Sequence, residues 1–201
     1  MDMNAVLAIC AGVALAAACG FRVFLPMLAM SAGVASGALD AGSGMEWVGS
    51  TPALIVLGVA TVLEIAAYYI PVVDHALDTV ASPAAVVAGT VAAGALLPFG
   101  DQLHPAVHWA CALIAGGGAA GVVQAGTVSA RAVSGTTTGT LGNPIVATIE
   151  NVLSTVLSIL AIVVPIVAGI VVVLTFVWVA RVVAKWRRRR RERGVEQMQV
   201  A

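Results

Sequence analysis

Across its first 180 residues the chain carries ten formally charged side chains, two arginines and eight acids. A soluble domain usually has about a quarter of its residues charged, so there are too few polar side chains here to cover a globule. The chain is 60% hydrophobic, with a mean hydropathy of +1.02. Lipid must therefore solvate much of its surface. Disordered chains are polar and charged, so the same composition excludes disorder.

The remaining cations are crowded into one place. Arg181, Lys185, Arg187, Arg188, Arg189, Arg190, Arg191 and Arg193 lie within a few turns of one another, against only Glu192 and Glu196. Lys and Arg flanking a membrane segment are retained on the cytoplasmic side, which predicts a cytoplasmic C-terminus. Arg187 to Arg191 are the candidate contacts for anionic lipid headgroups. No aromatic side chains interleave with them, so nucleic acid is not an expected partner. The expected organisation is a transmembrane helical domain over 1–183 and a basic cytoplasmic tail over 184–201.

Crossing a bilayer core takes about 20 apolar helical residues. The first apolar stretch, Ala5 to Val34, is too long for one straight crossing and is interrupted by Gly20-Phe21-Arg22 and Pro26, which predicts a bent or broken helix with Arg22 near the break. A second segment runs from Pro52 to about Ile70 and contains Glu64, with Tyr68 and Tyr69 marking an interface. Val72 to Ser82 reads as a short polar helix or turn. Pro83 to Leu97 is short enough either to span or to be re-entrant. Ala106 to Val128 is a further span, rich in the glycines that let membrane helices approach closely. Ser129 to Asn143 is a Ser/Thr/Gly stretch holding Arg131. Pro144 to Trp186 reads as a long kinked or tilted helix rather than a hairpin at Pro165. The expected fold is an all-α integral membrane protein, a bundle of about five transmembrane helices with broken or kinked members. Five crossings place the N-terminus outside; a re-entrant Pro83–Leu97 leaves four and places it inside.

Arg22 precedes an Ala-Thr-Val-Leu-Glu run ending at Glu64, and Arg131 precedes an Ala-Thr-Ile-Glu run ending at Glu150. The pattern hints at two inverted repeats, each supplying one arginine and one intramembrane glutamate. A charge in hydrocarbon costs about 2.5–3.5 kcal/mol unless it is paired or reaches water. Arg22, Glu64, Arg131 and Glu150 should therefore face the interior and pair across helices. Such pairs either fasten helices or serve transport, and buried ion pairs are weak fasteners compared with apolar packing.

Asp74, His75 and Asp78 form a candidate cation-binding cluster, two carboxylates one turn apart with an imidazole. The alternative is a solvated interfacial turn. His104 and His108 are also one turn apart, but two ligands are a weak metal signal. Asn143 followed by Pro144 reads as a helix cap and first turn. Cys10, Cys19 and Cys111 read as packing residues. The chain holds no HExxH, no GxSxG and no nucleotide-binding loop, so neither an enzyme nor a cofactor is expected.

Gly20-Phe21-Arg22-Val23-Phe24-Leu25-Pro26, Glu64-Ile65-Ala66-Ala67-Tyr68-Tyr69-Ile70-Pro71-Val72-Val73-Asp74 and Gly142-Asn143-Pro144 with Glu150-Asn151 resemble the DUF4126 family of bacterial membrane proteins. The resemblance implies a multi-pass membrane domain, here in a bacterial cytoplasmic membrane, and carries no activity. The expected function is a small membrane channel or transporter for ions or small solutes, with a homo-oligomer or an inverted repeat as the expected working form. The alternative is a structural or regulatory membrane protein that binds lipid or a partner.

Overall fold

Proline sets where most of the helices begin. In a computed structural model, α1 spans Met3–Cys19, α2 Phe24–Ala35, α3 Thr51–Ala67, α4 Pro71–Leu96, α5 Pro105–Ala112, α6 Gly118–Thr138, α7 Asn143–Val163 and α8 Pro165–Val200. Pro52, Pro71, Pro105, Pro144 and Pro165 each sit in the first turn of their helix, where the missing N–H would have no helical partner. The structure describes residues 2–98, 100–138 and 142–200, with the side chains at 71, 72, 74–76, 101 and 186–200 outside that description. Among the described residues there is no strand.

The chain divides into two compact units, Met1–Gly169 and Ile170–Ala201. The second is helical to Val200. In the first, α1 is the central helix. Its Ala11, Ala14, Leu15, Ala16, Ala17, Ala18 and Cys19 are buried. Small residues make this possible: a Cβ on Gly20 would lie 2.5 Å from the Ala120 carbonyl oxygen, and one on Gly89 2.8 Å from that of Gly116. With apolar lipid outside, such close packing rather than escape from water holds membrane helices together. The outward side chains are large and apolar, including Ile55, Val59 and Val62 on α3 and Ile145, Ile149, Val152 and Val156 on α7. That is the surface of an all-α membrane protein.

Four helices are long and apolar enough to cross a membrane: Leu77–Leu96, Pro105–Thr138, Asn143–Val163 and Pro165–Lys185. Met3–Cys19, Phe24–Ala35 and Thr51–Ala67 are apolar but shorter. The first apolar stretch breaks as expected, with Arg22 in the break between α1 and α2. The break falls at Gly20–Val23, while Pro26 sits harmlessly in the first turn of α2.

Three expected boundaries differ. Val72–Ser82 and Pro83–Leu97 fuse into the single helix α4, so the latter segment is neither short nor isolated. Pro83 removes one amide donor without ending the helix, and the Ser82 hydroxyl donates to the Asp78 carbonyl at 3.0 Å. The Ser/Thr/Gly stretch is helical through Thr138, because its hydroxyls fold back on the preceding turn: Ser129 donates to the Ala125 carbonyl at 2.7 Å and Thr138 to that of Ser134 at 2.7 Å. Arg131 is therefore held on a helix. Finally, the single long helix expected over Pro144–Trp186 is two helices, α7 and α8, because Val164 leaves helical geometry ahead of Pro165. A five-residue π turn, Leu113–Gly117, joins α5 to α6 where Gly116 backs against α4.

Helices α1, α3 and α6 end, and α4 and α7 begin, at the same end of the first unit. Glu64 near the end of α3 meets the start of α2, and Arg22, just past α1, meets the first turns of α7. The opposite end holds Asn4, Asp40, Leu96 and Ile162 around one cavity.

Candidate functional site

Breaking a helix frees backbone donors. At Gly20–Arg22 the amides still bond back to Ala17 and Ala18, but the first amides of α2 have no preceding turn to bond. Both are taken by one carboxylate: the Val23 N–H donates to Glu64 Oε1 at 2.7 Å and the Phe24 N–H to Oε2 at 3.0 Å. The positive end of α2 favours the negative charge. Glu64 is 6% exposed, so these amides do the work that water would do outside the bilayer.

Glu150 is held differently. The α6 residue Arg131 grips it with two donors, Nε to Oε1 at 3.1 Å and Nη2 to Oε2. Arg22 Nη1 reaches the same Oε2 at 3.1 Å. The Arg22 guanidinium is completed by α7 itself, donating through Nε to the Asn151 side-chain oxygen and through Nη2 to the Ala147 carbonyl at 3.1 Å. Arg131 Nη1 also faces Asp78 Oδ1 of α4 at 3.4 Å. The aromatic ring of Tyr68 lies against both cations, 3.8 Å from the Arg22 guanidinium carbon and 4.2 Å from that of Arg131. Desolvated cation–π contacts of this kind are worth about 2 kcal/mol each.

The four expected charges thus come together, but not as two equivalent pairs. Both arginines converge on Glu150, and Glu64 is bound by backbone. Arg131 and Glu150 each lie seven residues from the near end of their helix, roughly 10 Å at 1.5 Å per residue. The site therefore lies about a third of the way along both helices from that end.

Two cavities border it. One, of about 450 Å³, is lined by Asp78, Val128, Arg131, Ala132, Gly135, Thr136 and Asn143. The other, of about 430 Å³, is nearly all apolar and has Glu64 and Tyr68 in its wall beside Val23, Phe24, Leu77 and Val80.

Of the candidate cation cluster, Asp78 joins the arginine site, while the side chains of Asp74 and His75 lie outside the described residues. So do those of Arg187, Arg188, Arg189, Arg190 and Arg191. Among the described residues no group of three or more His, Cys, Asp or Glu is placed to hold a metal ion. His104 caps α5, its Nδ1 accepting from the Ala106 N–H at 3.3 Å. His108 packs edge-on against Trp109. Gly142 rather than Asn143 takes the cap position of α7, and Asn143 is buried in the first turn. Cys10, Cys19 and Cys111 are free thiols.

Sequence reasoning missed Tyr68, read only as an interface marker, and the amides that bind Glu64. The signal for Tyr68 was its spacing, one turn beyond Glu64 on the same helical face. Backbone donors have no sequence signal of their own.

No curated protein and no solved structure matches the chain. A family model described as Domain of unknown function (DUF4126) matches residues 9–185, which include every member of the buried site. The chain, an all-α membrane protein, belongs to the DUF4126 family.

Proposed function

We propose that the protein is a small membrane channel or transporter for ions or small solutes, with the Arg22–Glu150–Arg131 cluster as its central element. The observation that carries this reading is that two cavities have residues of the buried charged site in their walls. Arg131 and Asp78 line one, Glu64 and Tyr68 the other. A charge network built only to fasten helices gains nothing from cavities on its flanks, and ion pairs are weak fasteners. The protein is read as resident in a bacterial cytoplasmic membrane with its C-terminus inside, the tail arginines lying against anionic headgroups. A homo-oligomer is the expected working form.

One observation favours the alternative, a structural or regulatory role: both guanidiniums are extensively bonded, as a fastener's would be. Reconstituted vesicles separate the two. The full chain in proteoliposomes should let a panel of salts and small solutes cross faster than through bare vesicles, by osmotic swelling, and Glu150→Gln should abolish the difference. Swelling no faster than bare vesicles across the panel would overturn transport in favour of the structural role.

A further inference from the structure

We infer that the apolar cavity beside Glu64 is a binding site for one acyl chain of a bilayer phospholipid, an occupant distinct from any solute the protein carries. The cavity exists because α3 and α4 do not close on each other. Helix α3 packs chiefly on α2 and touches α4 only slightly. Between them lies a space of about 430 Å³, walled by α3 from Ala60 to Tyr68, by α4 from Leu77 to Ala84, and by Val23 and Phe24 at the start of α2. Four of its wall residues, Ala60, Ala67, Ala81 and Ala84, are alanines, and their short side chains leave the room.

Such a space holds nothing, water or hydrocarbon. Left empty, its lining atoms lose their contacts on one side, at a cost that grows with the volume. Water needs two to four polar partners. The wall is nearly all apolar, and both Glu64 oxygens already accept from the Val23 and Phe24 amides. Hydrocarbon has neither difficulty.

The surroundings supply it. Leu63 and Val80 belong both to the cavity wall and to the outer surface, where they are 63% and 68% exposed. On a membrane protein, the medium beyond those side chains is acyl chain. A gap between two neighbouring helices also suits one linear chain better than a compact ligand. Helix α3 ends at Ala67 and α4 starts at Pro71, so the cavity lies close to one end of the bundle. A lipid whose tail enters there keeps its head group in the interface, where Tyr69 is exposed and tyrosine is at home.

A chain in this position touches the residues that hold the charged site. The Val23 and Phe24 amides bind Glu64, and the Tyr68 ring lies against the Arg22 and Arg131 guanidiniums. The length and shape of the acyl chain thereby bear on the charges, which makes the cavity a point where membrane composition acts on the protein.

The test uses the full-length protein, extracted with its own lipid, exchanged into fresh detergent and weighed by native mass spectrometry. Wild-type chains should each keep a phospholipid. Phosphatidylglycerol with a diazirine in its acyl chain, added back to delipidated protein, should label residues 60–68 and 77–84 in preference to the apolar face of α7 at Ile149 and Val152. Unmodified phosphatidylglycerol should raise the thermal unfolding midpoint, since a bound ligand stabilises the state that binds it. Ala60→Phe and Ala84→Phe fill the cavity from its two walls. Each should lose the retained lipid, the label at 60–68 and 77–84, and the rise in midpoint, while labelling of α7 persists. Label at those residues that survives both fillings would overturn the site. Wild-type protein that keeps no phospholipid and gains no midpoint on its return would overturn it too. A lipid-free oligomer that either filling dissociates would overturn it in favour of a second copy of the chain.

Discussion

Glu64 and Glu150 are two buried carboxylates neutralised in two ways. Glu64 rests on the open end of a helix, its charge spread over two amides whose positions are fixed by the break at Gly20–Val23. Glu150 rests on two full cations from different parts of the chain. Amide dipoles are part of the backbone and need no partner of their own. Guanidiniums do need one, so each arginine that serves Glu150 becomes a liability once Glu150 is gone. The α2 end should therefore tolerate change better than the α6–α7 end.

The largest expected effect breaks the second arrangement. Glu150→Ala leaves Arg22 and Arg131 buried together and should destabilise the protein by about 3–5 kcal/mol, read as a lower detergent-unfolding midpoint. A cost below that of altering Glu64 would reverse the comparison. Next, Tyr68→Leu removes the ring from both cations while sparing the Glu64 amide bonds. A loss of about 2–4 kcal/mol is expected from two desolvated cation–π contacts; a loss near zero would mean the ion pairs alone hold the guanidiniums. Glu64→Gln keeps one acceptor oxygen and sets an NH₂ against the other amide. It should cost about 1–3 kcal/mol, the range for one unsatisfied buried donor. The smallest effect has the opposite sign. Gly58 lies within α3, on the same helix as Glu64, and a Cβ there would meet no atom within 4 Å. Gly58→Ala should stabilise by about 0.5–1 kcal/mol through helix propensity. Were it to destabilise instead, α3 would be sensitive to any change and the Glu64 result could not be ascribed to charge.

The sequence made the membrane class legible because lipid exposure requires apolar side chains on outward faces, and no compensation by packing can hide their number. It also singled out Arg22, Glu64, Arg131 and Glu150, since charge inside apolar segments is rare for energetic reasons. What it left unread was who bonds whom. The resemblance between the two Arg-and-Glu runs suggested matched pairs, yet Glu150 collects both arginines, because the break beside Arg22 offers amides that satisfy Glu64 first. The polar residues of 129–138 set the expected end of the apolar span at Val128, since hydroxyls ordinarily weaken helices. Their bonds to carbonyls one turn earlier let the helix continue. Likewise Pro83 suggested a boundary, and α4 simply passes through it.

Arg22 and Asn151, which bond in the finished protein, are separated by 129 residues of chain. Ribosomes add roughly 5–20 residues per second, so the arginine enters the membrane roughly 6–26 s before its partners on α7 exist. During that interval nothing synthesised so far supplies the acid that will hold it. A position just beyond the end of α1 suits this wait, because a long cationic side chain there can reach the headgroup layer until α7 arrives. Assembly of the site is thus a late event in biogenesis, and chains cut short before residue 150 should be recognisable to quality-control proteases by an arginine still facing lipid.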